Sequence, residues 1–231
     1  MSEPISYVLE GTTAVVTMDD GKANALSEAM IHAVSGALTR AAKEATAIVL
    51  LGRPERFCAG FDLRVMMSSP EAAKALLGIG ADLLMNLYAS PIPLVAGCTG
   101  HALAGGALVL LTADVRIGAA GAFRIGLNEV QIGLPVPILA MELARDRLRK
   151  SELARATLGA QIYAPEDARH AGYLDEVVAP EEVKARALEE AGRLGALSRT
   201  AYEATKVRLR RSTIDHIRST LDEDVRTLMG G

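Results

Sequence analysis

The sequence holds few groups placed to do chemistry, and the most suggestive is one carboxylate. Glu129 stands within Ile125-Gly126-Leu127-Asn128-Glu129-Val130-Gln131-Ile132-Gly133, with Leu127, Val130 and Ile132 around it. An apolar pocket disfavours a charged carboxylate, so it raises the pKa and makes the group a stronger base. A solvated loop glutamate is the plainer alternative. Two glycine-bearing segments accompany it, Phe57-Cys58-Ala59-Gly60-Phe61-Asp62-Leu63 and Gly100-His101-Ala102-Leu103-Ala104-Gly105-Gly106. The second leads into an all-apolar helix, whose N-terminus offers unpaired N–H groups and the positive end of a dipole. That arrangement suits an anion, although close helix–sheet packing would select the same glycines. It lacks the GxGxxG spacing of a dinucleotide site and the Lys-Ser/Thr of a P-loop. No His/Cys/Asp cluster has metal-ligand spacing, and no Ser/His/Asp trio stands out.

These residues need elements to position them. Residues 5–9 alternate, Gly11-Thr12 turns the chain, and 14–18 continue as a second strand. Ser27 is a candidate N-cap for a helix carrying Met30, Ile31, Val34 and Leu38 at helical spacing. Residues 47–51 and 93–98 read as buried strands, 115–118 and 122–125 as strand-like, and the two glycine segments as loops. Helices are expected over 70–89, from the second glycine segment through Leu111, and over 137–148, 150–158, 165–171 and 180–194. From about Ser198 the chain looks almost wholly helical. The class is therefore α/β. A boundary near Gly195 separates a mixed body, residues 1–195, from a helical region, 196–231.

Composition narrows the function. The 231 residues carry 25 basic and 28 acidic side chains for a net charge of −3, which gives no broad footprint for nucleic acid. The one basic cluster, Lys206-Val207-Arg208-Leu209-Arg210-Arg211, lacks aromatics for stacking bases and reads as a solvated or oligomer-facing helix side. Cys58 and Cys98 are too few and too far apart for a disulfide framework and read as buried thiols in a reducing compartment. The N-terminus resembles neither a signal nor a transit peptide, and the most apolar stretch, 102–113, is too short for a bilayer, which needs about 20 residues. The expectation is a cytoplasmic protein without membrane contact.

Three segments in order carry a family resemblance. The run from Glu55 to Leu63 resembles the first signature of the crotonase superfamily, the enoyl-CoA hydratase/isomerase proteins. The run from Gly100 to Gly106, continuing to Asp114, resembles the second, and Lys22-Ala23-Asn24-Ala25-Leu26 resembles an early coenzyme-contacting turn. With 164–178, the likeness spans most of residues 5–190. It implies a spiral of repeated ββα units, C-terminal helices that build a homotrimer or dimer of trimers, and an acyl-CoA thioester substrate. No separate cofactor is implied, since coenzyme A enters with the substrate. It also implies an oxyanion hole of two backbone N–H groups, here those of Phe61 and Gly105. Lys22, Ala23 and Ala25 would line the pantetheine–adenine groove, with Ala59, Gly60, Phe61, Asp62 and Leu63 on the opposite wall. Phe61, Met66, Leu84 and Leu134 are candidates for the acyl pocket, although core packing would explain them equally. His101 reads as a bystander.

Within the family, the hydratase pattern places two glutamates on one water. Leu108 occupies the first of these positions and cannot transfer a proton; Glu129 matches the second. The Ile-Gly-Leu-Asn-Glu loop with an apolar residue at 108 is similar to the mitochondrial-type Δ3,Δ2-enoyl-CoA isomerases. One carboxylate suffices for that reaction, because C2 and C4 lie on one side of a planar dienolate. No Asp or Glu lies between Val130 and Met141, and Glu142 reads as a surface charge. The resemblance thus implies an isomerase using Glu129 as its single acid and base. A single-glutamate hydratase and a non-catalytic acyl-CoA-binding protein are the alternatives. The chain is shorter than many relatives, mainly at the C-terminus and the first acyl-side helix.

Overall fold

Alternation along the strands gives one sheet two differently covered faces. The computed structural model describes residues 3–228; Met1 and Ser2, at the end read for targeting signals, and Met229 to Gly231, the end of the tail, lie outside the described residues. Strands β1 (Ile5–Glu10), β2 (Thr13–Met18), β3 (Ala47–Leu51), β5 (Leu94–Cys98), β7 (Val115–Ala119) and β9 (Glu176–Val178) form a six-stranded sheet in that order. The β1–β2 hairpin is antiparallel, and every later pairing is parallel. Ala14, Val16, Ile48, Leu50, Leu94 and Ala96 face the main core, whereas Val15, Val49, Leu51 and Val95 face a second, smaller cluster. Both faces are covered, which is why β3 and β5 read as continuous apolar runs.

A second sheet is made of three short parallel strands, β4 (Glu55–Cys58), β6 (Gly100–Leu103) and β8 (Ile125–Gly126). Each follows a strand of the large sheet, so β3–β4, β5–β6 and β7–β8 step across both sheets together. That register is the repeated ββα spiral. Helices α1 (Glu28–Glu44), α3 (Pro70–Tyr88) and α4 (Gly105–Thr112) fill the main core. Every residue of α4 is buried, so it shows no amphipathic stripe. Helix α8 (Val183–Gly195) covers the other face through Val183, Ala187 and Ala191. The remaining helices are α2 (Leu63–Met66), α5 (Ile138–Arg147), α6 (Leu153–Thr157), α7 (Pro165–Ala171) and α9 (Arg199–Leu228). No helix among the described residues is long and apolar enough to cross a membrane.

The structure corrects several expectations. The two glycine segments are not loops throughout: each opens with a strand of the small sheet. Of 122–125, only Ile125 enters a strand, with Gly126. The basic cluster on α9 is not uniformly solvated or turned outward. Lys206 and Arg210 are buried and both pair with Asp114, at 2.7 and 3.0 Å. They lie one helical turn apart, so one face of α9 closes onto the start of β7. Glu142 is mostly buried, with its side chain 16% exposed, and pairs with Arg145.

Candidate active site at the ends of the small sheet

The three short strands are parallel, so their C-terminal ends lie along one edge, where open α/β sheets hold their ligands. Each end carries one part of the candidate site. Gly60 and Phe61 follow β4, Ala104 and Gly105 follow β6, and Glu129 follows β8. The pairs Ala102 with Ile125 and Leu103 with Gly126, and the bond from Ala104 N to Gly126 O at 3.0 Å, bring the last two together.

The turn before α1 is held by Asn24, fully buried in a left-handed conformation. Its Nδ2 donates to the carbonyls of Met18, Arg56 and Phe57, and its Oδ1 accepts from Asp20 N. This pins residues 22–26 against β4. Ala59 N donates to Ala23 O at 3.1 Å, Leu26 N to Gly60 O at 2.8 Å and Asp62 N to Leu26 O at 3.3 Å. Ala23 and Leu26 are therefore bonded through their backbones to Ala59, Gly60 and Asp62, which places the 22–26 turn beside the end of β4. Lys22 and Ala59 are exposed, and Ala23 and Ala25 half-buried. Asp62 caps α2 by accepting from Arg64 N, and Leu63, at 61% exposure, opens that helix.

This pairing orients the Phe61 amide. Leu26 engages the groups of residues 60 and 62, so in extended backbone the N–H of Phe61 points the opposite way. The Phe61 ring lies between Gly80 on α3 and Gly105 on α4, and a Cβ added at either glycine would press into it. Gly60 has φ +91°, and a Cβ there would stand 3.1 Å from Gly105 N. Gly105 is the first residue of α4, so its N–H has no intrahelical acceptor. Neither the Phe61 nor the Gly105 amide has a hydrogen-bond partner among the described residues. Ala104, just before, sits at φ +48° and ψ −122°. Such a conformation costs a non-glycine residue about 1–3 kcal/mol, and strain of this kind gathers at functional sites.

Glu129 is 8% exposed, and its Oε2 has no hydrogen-bond partner among the described residues. Burial pushes its carboxyl above the usual range, opposed only by its own backbone amide. Leu108, one turn into α4, is also buried. After Glu129 the chain makes a short 3-10 turn, Val130–Ile132, and a left-handed step at Gly133, with Leu134 N donating to Glu129 O at 3.0 Å. Leu134 is 40% exposed and Leu84 is 1% exposed, so these two acyl-pocket candidates lie on the surface and in the core respectively. Met66 and Phe61 are half-buried. His101 accepts from Arg124 N and meets the Phe123 ring edge-on.

Three groups were missed in the sequence. Asn24 lay inside a quoted motif, but nothing showed that it would bond across to β4. Ala104 gives no sign of its strain. Asp224, near the end of α9, accepts from Leu139 N at 3.3 Å and so caps α5 where the local residue, Pro137, makes no side-chain cap. The tail is thus tied to the start of α5, the helix that follows the Glu129 loop.

A parallel double-wound spiral with two free amides and one buried carboxylate at a shared strand edge defines the class. The chain matches the enoyl-CoA hydratase/isomerase family over residues 9–229 and belongs to it. It is 32% identical over 184 residues to the human mitochondrial enoyl-CoA delta isomerase 1, covering 79% of this chain and 61% of that protein's length. An enoyl-CoA hydratase/isomerase family protein from Pseudomonas syringae superposes with a TM-score of 0.96 at 41% identity, covering 98% of this chain and 99% of the other. A Mycobacterium tuberculosis protein, described as an enoyl-CoA isomerase in one structure and as a probable enoyl-CoA hydratase in another, superposes with TM-scores of 0.92 and 0.91 at 39% identity, covering 96% and 95% of this chain and 97% and 93% of the other. Relatives described as probable enoyl-CoA hydratases match as well.

Proposed function

We propose that this protein is an acyl-CoA isomerase that moves the double bond of a 3-enoyl-CoA to the 2-trans position, with Glu129 as the single acid and base. The observation that carries the reading is the isolation of Glu129: a buried carboxylate with an unpartnered oxygen, and a leucine at 108. In the reaction, a Glu129 oxygen takes the C2 proton. The C2–H electron pair enters the conjugated system, and negative charge reaches the thioester oxygen. The N–H groups of Phe61 and Gly105 donate to that oxygen, each worth about 3–4 kcal/mol in the transition state, and the α4 dipole acts in the same sense. The neutral Glu129 then returns its proton to C4, which leaves the double bond between C2 and C3. Burial raises the carboxyl pKa, which matches the base better to a weak carbon acid.

Hydration of a 2-enoyl-CoA is the second reading, favoured by the hydratase-named relatives. It needs a group to hold and deprotonate water, which Leu108 cannot do. Supplying a 3-enoyl-CoA and, separately, a 2-enoyl-CoA distinguishes the two. The proposal expects a conjugated thioester to appear from the first and to persist in the second. Loss of conjugation from the second would select the hydratase, and tight binding with neither change would select a non-catalytic binder.

A further inference from the structure

Helix α3 carries two interior glycines, Gly78 and Gly80, and neither has a left-handed φ. Alanine is the better helix former at such positions, so conformation is no reason for either glycine. Gly78 has no packing reason either, since nothing lies within 4 Å of the place a Cβ would take. Gly80 has one. It is buried, and a Cβ there would overlap Phe61 Cε1 and stand 2.6 Å from Cζ. The opposite edge of the same ring meets α4. A Cβ at Gly105 would stand 3.1 Å from Phe61 Cδ2 and 3.2 Å from Cε2. The ring therefore spans from α3 to α4, through its two edges. The backbone on either side of it is held by Leu26, whose N–H donates to Gly60 O at 2.8 Å and whose carbonyl accepts from Asp62 N at 3.3 Å. Neither bond reaches α4; the ring does.

We propose that the Phe61 ring, seated at Gly80, is the spacer that sets how the Phe61 and Gly105 amides converge, and that Gly80 is a positioning residue that makes room for it. The inference rests on those two amides being the donors to the thioester oxygen. Two donors act together on one oxygen only when both stand about 2.7–3.1 Å from it. A methyl group at residue 80 would press on the Cε1–Cζ edge of the ring. The other edge already rests on Gly105, so the ring has no room to retreat toward α4. In a close-packed interior the displacement then passes to the backbone of residue 61, and so to its N–H. Sizes at the two positions are complementary. A leucine at 61 would leave the notch partly empty, and an alanine at 80 would then fill it. Gly80 acts only through Phe61 and need not touch the substrate.

The test is the infrared stretch of the thioester carbonyl in hexanoyl-CoA, carbon-13 labelled at that carbon and bound to the full chain. A saturated acyl chain has no double bond to move or hydrate, so the readout is independent of turnover. Binding to wild type should lower the stretching frequency, as the two donors polarise the carbonyl. Gly80→Ala should lose roughly half or more of that shift. Gly78→Ala, two residues away with open space around it, should keep all of it. Gly80→Ala combined with Phe61→Leu should recover much of the loss, a non-additivity expected only of residues in contact. Where Gly80→Ala alone does not fold, Phe61→Leu is compared with and without it: the single variant should lose part of the shift and the pair regain it. In turnover of a 3-enoyl-CoA, Gly80→Ala should lower kcat about 10-fold or more with KM nearly unchanged. A folded Gly80→Ala with the full shift, a folded Phe61→Leu with the full shift, or losses that simply add in the pair would overturn the proposal. No shift on binding to wild type would reject the amide pair itself, and the spacer with it. Shifts that respond as expected in a protein that isomerises no 3-enoyl-CoA would confirm the spacer and reject the function proposed above.

Discussion

Two buried acids in this molecule are treated in opposite ways. Asp114, at the start of β7, accepts from Lys206 Nζ at 2.7 Å, Leu94 N at 2.8 Å and Arg210 Nη2 at 3.0 Å. Arg210 in turn donates to the carbonyls of Tyr88 and Thr112, and its guanidinium lies 4.2 Å from the centroid of the Tyr88 ring. Glu129 is 8% exposed and the Asp114 side chain 10%, yet no cation lies near Glu129 among the described residues. A buried charge that is fully paired holds elements in place; here it fastens α9 to the sheet. A buried charge left unpaired costs stability, and a fold keeps it only where something else requires it. The strained Ala104 and left-handed Gly60 belong to the same region as Glu129, so its cost is not confined to one side chain.

The largest effect expected from this contrast is at the paired acid. Asp114→Ala leaves two buried cations without their partner and should destabilise the fold by about 3–5 kcal/mol in a urea titration. A loss under 1 kcal/mol would mean that the cluster is not structural. Gly60→Ala comes next: the left-handed φ and the nearby Gly105 amide should cost about 1–3 kcal/mol and should also reduce turnover. Glu129→Gln should act with the opposite sign and stabilise the protein by roughly 1 kcal/mol at neutral pH.

That gain should depend on pH. The folded Glu129 pKa lies above its unfolded value, so the folded state holds the proton more tightly. Below the ordinary carboxyl range both states are protonated and the glutamate carries no penalty. As pH rises from about 4.3 through the raised folded pKa, the penalty grows, and above that it is constant. The stability difference between wild type and Glu129→Gln should therefore be smallest in acid and widen across that window. A difference independent of pH would contradict the raised carboxyl. The smallest effect is at Ala104, where glycine relieves the backbone at the cost of chain entropy and should raise stability by about 1 kcal/mol or less.

Much of the fold was legible because parallel strands buried on both faces need no alternation to be recognised. Ala47–Leu51 and Leu94–Cys98 are five-residue apolar runs that end at turns. The small sheet was not legible. Its strands have four, four and two residues, and the first begins with Glu55 and Arg56. No periodicity can be read from so few positions. Yet those strands are what bring Phe61, Gly105 and Glu129 to one edge. The family resemblance singled out Glu129, but its isolation depends on burial. Lys206 and Arg210 looked solvated because two cations a turn apart on a helix usually are, and their partner Asp114 lies 92 residues from Lys206.

The central claim is that one unpaired carboxylate both takes and returns the proton. The direct test follows formation of the conjugated thioester from a 3-enoyl-CoA by wild type and by Glu129→Gln at equal concentrations. The account predicts that the variant binds the substrate but forms the product at least about 10³-fold more slowly. A folded Glu129→Gln protein that keeps the wild-type rate would contradict it.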